Sequence, residues 1–155
     1  MGLCYSRKPM LDGLVSALPP VNASKVAAGL SPVYLHIYDL LVMNYSTSSI
    51  GVGVYHTGVQ VYADEYCFSG HNQVDLVTKQ EITGLRSFRP PTDTSWIEDA
   101  IYKESVIVGY TELTESEVLD LFEELKTKFV GASYNALARN CNTFSQVREV
   151  SVRPL

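Results

Sequence analysis

The strongest pattern in this 155-residue chain is an amphipathic helical segment at residues 115–129, and it constrains the fold most. Thr114 and Glu117 have the spacing of a capping box at its start, and Gly131 is placed to end it. The apolar residues recur at the spacing of one helix face: Val118, Leu121, Phe122, Leu125 and Phe129. The segment therefore predicts a helix that packs one face against the remaining chain.

The segments before this helix have the composition of β-strands. Thr57 and Gly58 separate two short alternating segments, and Ala63 and Asp64 suit a tight turn. Strands are predicted at residues 33–39, 52–56, 59–62, 65–68 and 106–110. After the helix we expect a helical turn at residues 134–138 and another helix that starts at or near Cys141. Strands followed by helices predict an α+β domain.

The length fits one domain. Pro19 and Pro20 interrupt regular structure, so we expect residues 1–31 to form a flexible tail and residues 32–155 to form the folded domain. The net charge is -5 and no basic stripe is interleaved with aromatic residues, which argues against a nucleic-acid partner. No apolar run has the length of a bilayer span, and the N-terminus lacks the apolar core of a secretory signal.

The cysteines and histidines argue against a disulfide framework and against a metal site. There are three of each, at Cys4, Cys67, Cys141, His36, His56 and His71. An odd number of widely separated cysteines is typical of a reducing compartment. The histidines show no ligand spacing with cysteines or carboxylates, so neither a metal nor another cofactor is expected.

Cys141 is the candidate nucleophile. It lies at the expected start of a helix, where unpaired N–H groups and the helix dipole favour the thiolate. The same N–H groups can stabilise an oxyanion when a carbonyl is attacked. The alternative is a buried cysteine that only fills space. Its neighbours Arg139, Asn140 and Asn142 are polar, which favours the functional interpretation.

His56 is the candidate general base. It lies in a glycine-rich segment, residues 51–62, and glycines often mark a close approach of the backbone to a substrate or a neighbouring strand. A histidine of near-neutral pKa can take the thiol proton and return it to a leaving amine. The alternative is a strand histidine held by hydrogen bonds. We predict that His36 and His71 have this structural role, in which hydrogen bonds hold the ring.

Two motifs resemble those of a known family. Residues 53–70, which contain His56, resemble the histidine motif of the PPPDE family, the desumoylating isopeptidases. Residues 134–145, which contain Cys141, resemble the same family's cysteine motif, and the two occur in the family's order. The resemblance extends from about residue 33 to residue 145. It implies a circularly permuted papain-like fold, with a small antiparallel sheet or barrel packed against helices.

The resemblance also implies an activity. Cys141 would be the nucleophile and His56 the general base and acid, with Asn140 as a candidate oxyanion donor or support. The expected substrates are conjugates of ubiquitin or a ubiquitin-like modifier such as SUMO. Two alternatives stay open: a thioesterase that acts on S-acylated proteins, and an inactive module that binds such a tail. Cys67 matches no catalytic position and is expected to be a packing residue.

Both ends of the chain carry further expectations. Gly2 and Ser6 fit the pattern for N-myristoylation, and Cys4 is placed for palmitoylation beside the basic pair Arg7 and Lys8. Two acyl chains would hold the protein at the cytoplasmic face of a membrane. At the other end, Pro154 forbids further helix and few apolar residues follow Phe144. We therefore expect poor support for the helix that positions Cys141, which would leave a weakened or inactive enzyme.

Overall fold

A computed structural model describes residues 18–40, 55–78, 80–89 and 100–146. The elements follow one another as α1 (Ala23–Ala27), β1 (Ser31–Leu40), β2 (Tyr55–Val61), β3 (Asp64–Phe68), β4 (Leu85–Phe88), β5 (Ala100–Thr111), α2 (Glu115–Lys128), a 3₁₀ turn (Gly131–Ser133) and α3 (Cys141–Ser145). Strands come first and the two helices of the core follow, so the α+β prediction is confirmed.

The strands form a five-stranded antiparallel sheet in the order β4-β3-β2-β1-β5. Helix α2 begins at the predicted capping box and buries Val118, Phe122 and Leu125 against one face of the sheet. The ring of Phe122 stacks on Tyr66 of β3 with centroids 3.5 Å apart. The prediction of an antiparallel sheet packed against helices is therefore confirmed, and this packing fixes the position of α3.

The predicted break at Thr57 and Gly58 is wrong, because β2 runs through both residues without interruption. Gly58 lies under the buried carboxyl group of Glu65, and a Cβ atom at Gly58 would lie 1.9 Å from Glu65 Oε1. The glycine thus permits a close approach between two strands and does not end one. The following turn also shifts by one residue, since Val61 pairs with Asp64 and leaves Tyr62 and Ala63 at the turn.

Three further differences concern element length. Strand β4 was not predicted, because it has four residues and two of them are exposed. Strand β5 starts at Ala100, six residues before the predicted start, because its first half is largely exposed and lacks the apolar run of its second half. The predicted helical turn at residues 134–138 is wrong: Asn135 and Arg139 bond each other's backbone groups across a tight loop.

The segment before β1 contains α1, which Asn22 caps through its side chain. The backbone N–H of Asn22 donates to the hydroxyl of Tyr110 at 2.7 Å, and the Lys25 ammonium lies 4.9 Å from the centre of the same ring. This part of the predicted tail therefore contacts β5. Residues 1–17, with Gly2 and Cys4, lie outside the described residues. Within the described ranges no helix is both long enough and apolar enough to span a membrane.

Candidate active site

Cys141 is the first residue of α3 and is 3% exposed. Its sulfur lies 4.0 Å from the carbonyl oxygen of Tyr55, the first residue of β2. The predicted start of a helix at Cys141 is confirmed. Asn140 caps the helix: its Oδ1 accepts from the Thr143 N–H at 3.0 Å, and the Thr143 hydroxyl accepts from the Asn140 N–H at 3.2 Å.

Helix α3 is short, and side chains on its two sides fix it to β2 and to the C-terminal end of α2. The Thr57 hydroxyl of β2 donates to Asn142 Oδ1 at 3.0 Å and lies 3.0 Å from the Ser145 hydroxyl. Ser145 in turn donates to the Cys141 carbonyl at 3.0 Å. On the apolar side, the Phe144 ring meets that of Phe129 edge-on with centroids 5.3 Å apart. A five-residue helix is marginal alone, so these contacts determine where the thiol lies.

Asn140 uses both ends of its side-chain amide locally. Besides the cap, its Nδ2 donates to the Ala136 carbonyl at 2.7 Å and ties the helix to the preceding loop. These bonds suit the support role that the sequence suggests for Asn140. They do not direct its amide nitrogen toward Cys141 as an oxyanion donor.

His56 is the second residue of β2 and is 6% exposed. It follows Tyr55, whose carbonyl oxygen lies 4.0 Å from Cys141 Sγ. Both candidate residues therefore lie where the beginning of β2 meets the beginning of α3. Burial lowers the pKa of His56 to about 4, so its imidazole is neutral at pH 7. A neutral imidazole is the form that can accept a proton.

Tyr134 is a site residue that the sequence analysis did not single out. It is half-buried in the loop before α3, and its ring lies 5.2 Å from that of Phe68 between centroids. Burial and the nearby Cys141 raise the pKa of Tyr134, which keeps the phenol protonated. Tyr134 lies in the cysteine motif, seven positions before Cys141. Its place in that motif was the only signal in the sequence. The spacing alone does not reveal that the loop before α3 folds back toward the thiol.

His36 and Glu65 form a second buried polar group, within the sheet. Both are 0% exposed. His36 Nε2 lies 2.8 Å from Gln60 Oε1, and the Tyr38 hydroxyl donates to Glu65 Oε2 at 2.6 Å. Burial lowers the pKa of His36 and raises that of Glu65 to about 7. The 3.9 Å approach of His36 to Glu65 thus joins a neutral imidazole to a carboxyl group whose ionisation burial opposes, and His36 has the structural role that was predicted.

Cys67 and His71 also have structural roles. Cys67 is 0% exposed, and burial raises the pKa of its thiol, as suits a packing residue. His71 Nε2 donates to the Thr83 carbonyl at 2.9 Å, so this ring is held by the loop around it. Across the described ranges, no three histidine, cysteine or carboxylate side chains cluster in a way that could hold a metal ion.

Comparison with known proteins points to one family. Residues 31–150 match the family model described as "PPPDE putative peptidase domain". The chain is 35% identical over 134 residues to a desumoylating isopeptidase 1 homolog of Caenorhabditis elegans. It is 30% identical over 125 residues to a DeSI-like protein of Arabidopsis thaliana, and 32% identical over 123 residues to human desumoylating isopeptidase 1.

These alignments cover most of this chain but less of its relatives. They include 86%, 81% and 75% of the chain in the same order. The chain spans 38% of the nematode protein, 51% of the plant protein and 64% of the human protein. The matched range contains every strand of the sheet, α2 and α3, so the likeness extends over the whole fold that carries Cys141.

Proposed function

Because this chain belongs to the PPPDE peptidase family, we propose that it is a cysteine isopeptidase that removes ubiquitin or a ubiquitin-like modifier such as SUMO from protein conjugates. Cys141 is the nucleophile of the proposal and His56 is its general base and acid. The relatives carry the names of desumoylating isopeptidases, which support this substrate class.

One observation supports the proposal most directly. The Cys141 thiol lies at the first turn of α3, against the beginning of β2, where His56 is the next residue after the Tyr55 carbonyl. A nucleophile and a base need positions of this kind on two rigid elements. The contacts of Thr57 with Asn142 and Ser145 hold the two elements together.

The chemistry follows from ordinary acyl transfer. His56, neutral at pH 7, takes the thiol proton as the sulfur of Cys141 attacks the carbonyl carbon at the modifier's C-terminus. A C–S bond forms, the C–N bond to the substrate lysine breaks, and His56 returns the proton to the leaving amine. Water then hydrolyses the thioester, with His56 again as base, and releases the free modifier and the Cys141 thiol.

The proposal is tested with ubiquitin and SUMO whose C-termini carry a vinyl sulfone. We expect one of these probes to form a covalent adduct with the wild-type chain, because the thiolate adds to the vinyl group. Cys141→Ala and His56→Ala should remove the adduct, whereas Cys4→Ser should keep it as the matched control for a second cysteine.

The outcomes separate the alternatives. Absence of an adduct with a folded wild-type chain contradicts the isopeptidase. Turnover of an acyl-thioester substrate that depends on Cys141 would then identify the thioesterase, and failure of both assays would identify a binding module. The acylation of Gly2 and Cys4, and the membrane location that it would give, stay predictions because those residues lie outside the described part of the chain.

A further inference from the structure

Leu137 projects from the loop that precedes α3. At 96%, it is the most exposed of the large apolar side chains among the described residues. It lies four residues before Cys141, within the loop of residues 135–139. Single exposed leucines are common on protein surfaces, so exposure alone does not assign a role to this one. Its position beside the candidate nucleophile and the rigidity of its loop point to a binding contact.

Hydrogen bonds hold the backbone around Leu137 in one conformation. The Oδ1 atom of Asn135 accepts from the N–H groups of Leu137 and Ala138, both at 3.0 Å. Asn135 and Arg139 exchange two backbone hydrogen bonds, at 2.8 and 2.9 Å, which close the loop below its tip. Little backbone entropy is therefore left to lose when a partner covers the leucine, and this favours binding.

The loop is also fixed to the element that carries the thiol. Asn140, the cap of α3, donates through its Nδ2 atom to the Ala136 carbonyl at 2.7 Å. The guanidinium group of Arg139 lies 4.8 Å from the centre of the Phe129 ring, at the end of α2. The tip of the loop therefore keeps a constant position relative to the thiol.

A second exposed side chain with apolar surface borders the site from β2. Tyr55, whose carbonyl oxygen lies 4.0 Å from Cys141 Sγ, is 38% exposed. The Lys103 ammonium lies 4.4 Å from the centre of the Tyr55 ring and donates to its hydroxyl at 3.3 Å. Aromatic side chains are enriched in the contact surfaces of protein complexes. Apolar surface is thus available to a partner on two elements that meet at Cys141.

The chemistry of the proposed reaction selects the partner. Every conjugate shares the modifier and differs in the protein that carries the lysine, so a contact built into the enzyme is expected on the modifier. The C-terminal carbonyl of the modifier has to reach the Cys141 sulfur, which brings its folded part against the surface around this residue. A protruding leucine fits an apolar depression on the modifier, because such a contact removes the side chain from water.

We propose that Leu137 is a docking residue: it packs into an apolar depression on the folded part of a ubiquitin-like modifier and so positions the modifier's C-terminus at Cys141. The inference rests on the proposed function for the class of partner. Leu137 takes no part in the making or breaking of bonds. Its loss should therefore weaken the binding of the modifier and leave the reactivity of the thiol unchanged.

The test is the binding of fluorescently labelled ubiquitin and SUMO to the Cys141→Ala protein, which can hold a modifier but cannot form an adduct. Fluorescence anisotropy gives the Kd in this background with and without Leu137→Ser. Leu76→Ser is the matched control, because Leu76 is 80% exposed and lies between β3 and β4. Both positions are exposed, so both variants should keep the melting temperature of the Cys141→Ala protein.

We expect Leu137→Ser to raise the Kd of the modifier that binds about tenfold, because the apolar area that one leucine buries is lost. Leu76→Ser should leave this Kd unchanged. In the chain that retains Cys141, iodoacetamide should alkylate this thiol at the same rate with and without Leu137→Ser. Trypsin releases residues 140–148 with Cys141 as their single cysteine, so mass spectrometry reports this thiol alone.

An unchanged Kd in Leu137→Ser would overturn the inference. An equal rise of the Kd in Leu76→Ser would overturn it too, since the effect would then belong to exposed apolar surface in general. Slower alkylation in Leu137→Ser would also count against it, because the substitution would then disturb the site itself. Failure of both modifiers to bind the Cys141→Ala protein would reject it as well.

These outcomes are separate from those of the proposed function. Binding that depends on Leu137, in a protein that neither vinyl sulfone probe labels, would retain the docking residue and reject the isopeptidase. Labelling by a probe, together with binding that does not depend on Leu137, would do the reverse.

Discussion

At the scale of single residues, one buried imidazole and one buried carboxyl group determine how the stability of this domain depends on pH. Burial lowers the pKa of His56 to about 4 and raises that of Glu65 to about 7. His56 therefore costs stability as the pH falls from 6.5, its ordinary pKa, toward 4, because the unfolded chain binds the proton more readily. Glu65 costs stability as the pH rises from 4.5 toward 7, because its buried carboxyl group resists ionisation.

The Glu65→Gln variant separates the effect of Glu65 on the pH dependence of stability from that of His56. The amide of the variant resembles the neutral acid and does not ionise. Between pH 5 and pH 8 the wild type should therefore lose about 2 kcal/mol of unfolding free energy relative to the variant. Urea unfolding at the two pH values measures it. Glu123→Gln, on an exposed residue of α2, is the control and should show no such trend. The same difference at both pH values would mean that Glu65 ionises normally in the folded protein.

At the scale of elements, α3 depends on its neighbours because it has only five residues. Its contacts are polar on one side, through Thr57, and aromatic on the other, through Phe144 and Phe129. The Asn140 cap closes its first turn, next to the thiol. The support of Cys141 is therefore local hydrogen bonding as much as core packing.

Asn140→Ala should lower the unfolding free energy by about 1 kcal/mol, because the Thr143 N–H loses its acceptor. Asn140→Asp keeps an acceptor oxygen but loses the Nδ2 bond to the Ala136 carbonyl, so we expect a smaller loss. Urea unfolding of both variants beside the wild type measures the difference. Equal losses would assign the stability to the loop bond and not to the cap.

At the scale of the whole molecule, the sequence predicts the helices and strands that bury a regular pattern of apolar residues. Apolar residues recur at the period of a helix in α2 and at the period of a strand in β1. Both elements are found where the sequence predicted them. Strand β4 has too little buried surface to produce a pattern.

Other features depend on contacts between distant segments. Gly58 was predicted to interrupt a strand, because the sequence does not show that the Glu65 side chain packs against this glycine. Tyr134 comes near Cys141 only after the loop at Asn135 has folded back. For the same reason the sequence indicates the candidate residues Cys141 and His56 more readily than the groups that surround them.

An apolar core between α2 and the sheet holds these parts together, and Phe122 is one of its buried residues. It is 3% exposed and stacks on Tyr66, and its ring centroid is 6.2 Å from that of Phe144 in α3. Phe122→Ala should cost about 3–5 kcal/mol, which is a large share of the stability of a domain this size.

Leu119 lies on the same helix, is 49% exposed and serves as the matched control. Leu119→Ala should cost less than about 1 kcal/mol, because most of its surface never leaves water. Thermal and urea unfolding of the two variants compare them directly. Similar losses in both would mean that α2 contacts the sheet through a different face, and α3 would then lack the aromatic support that positions Cys141.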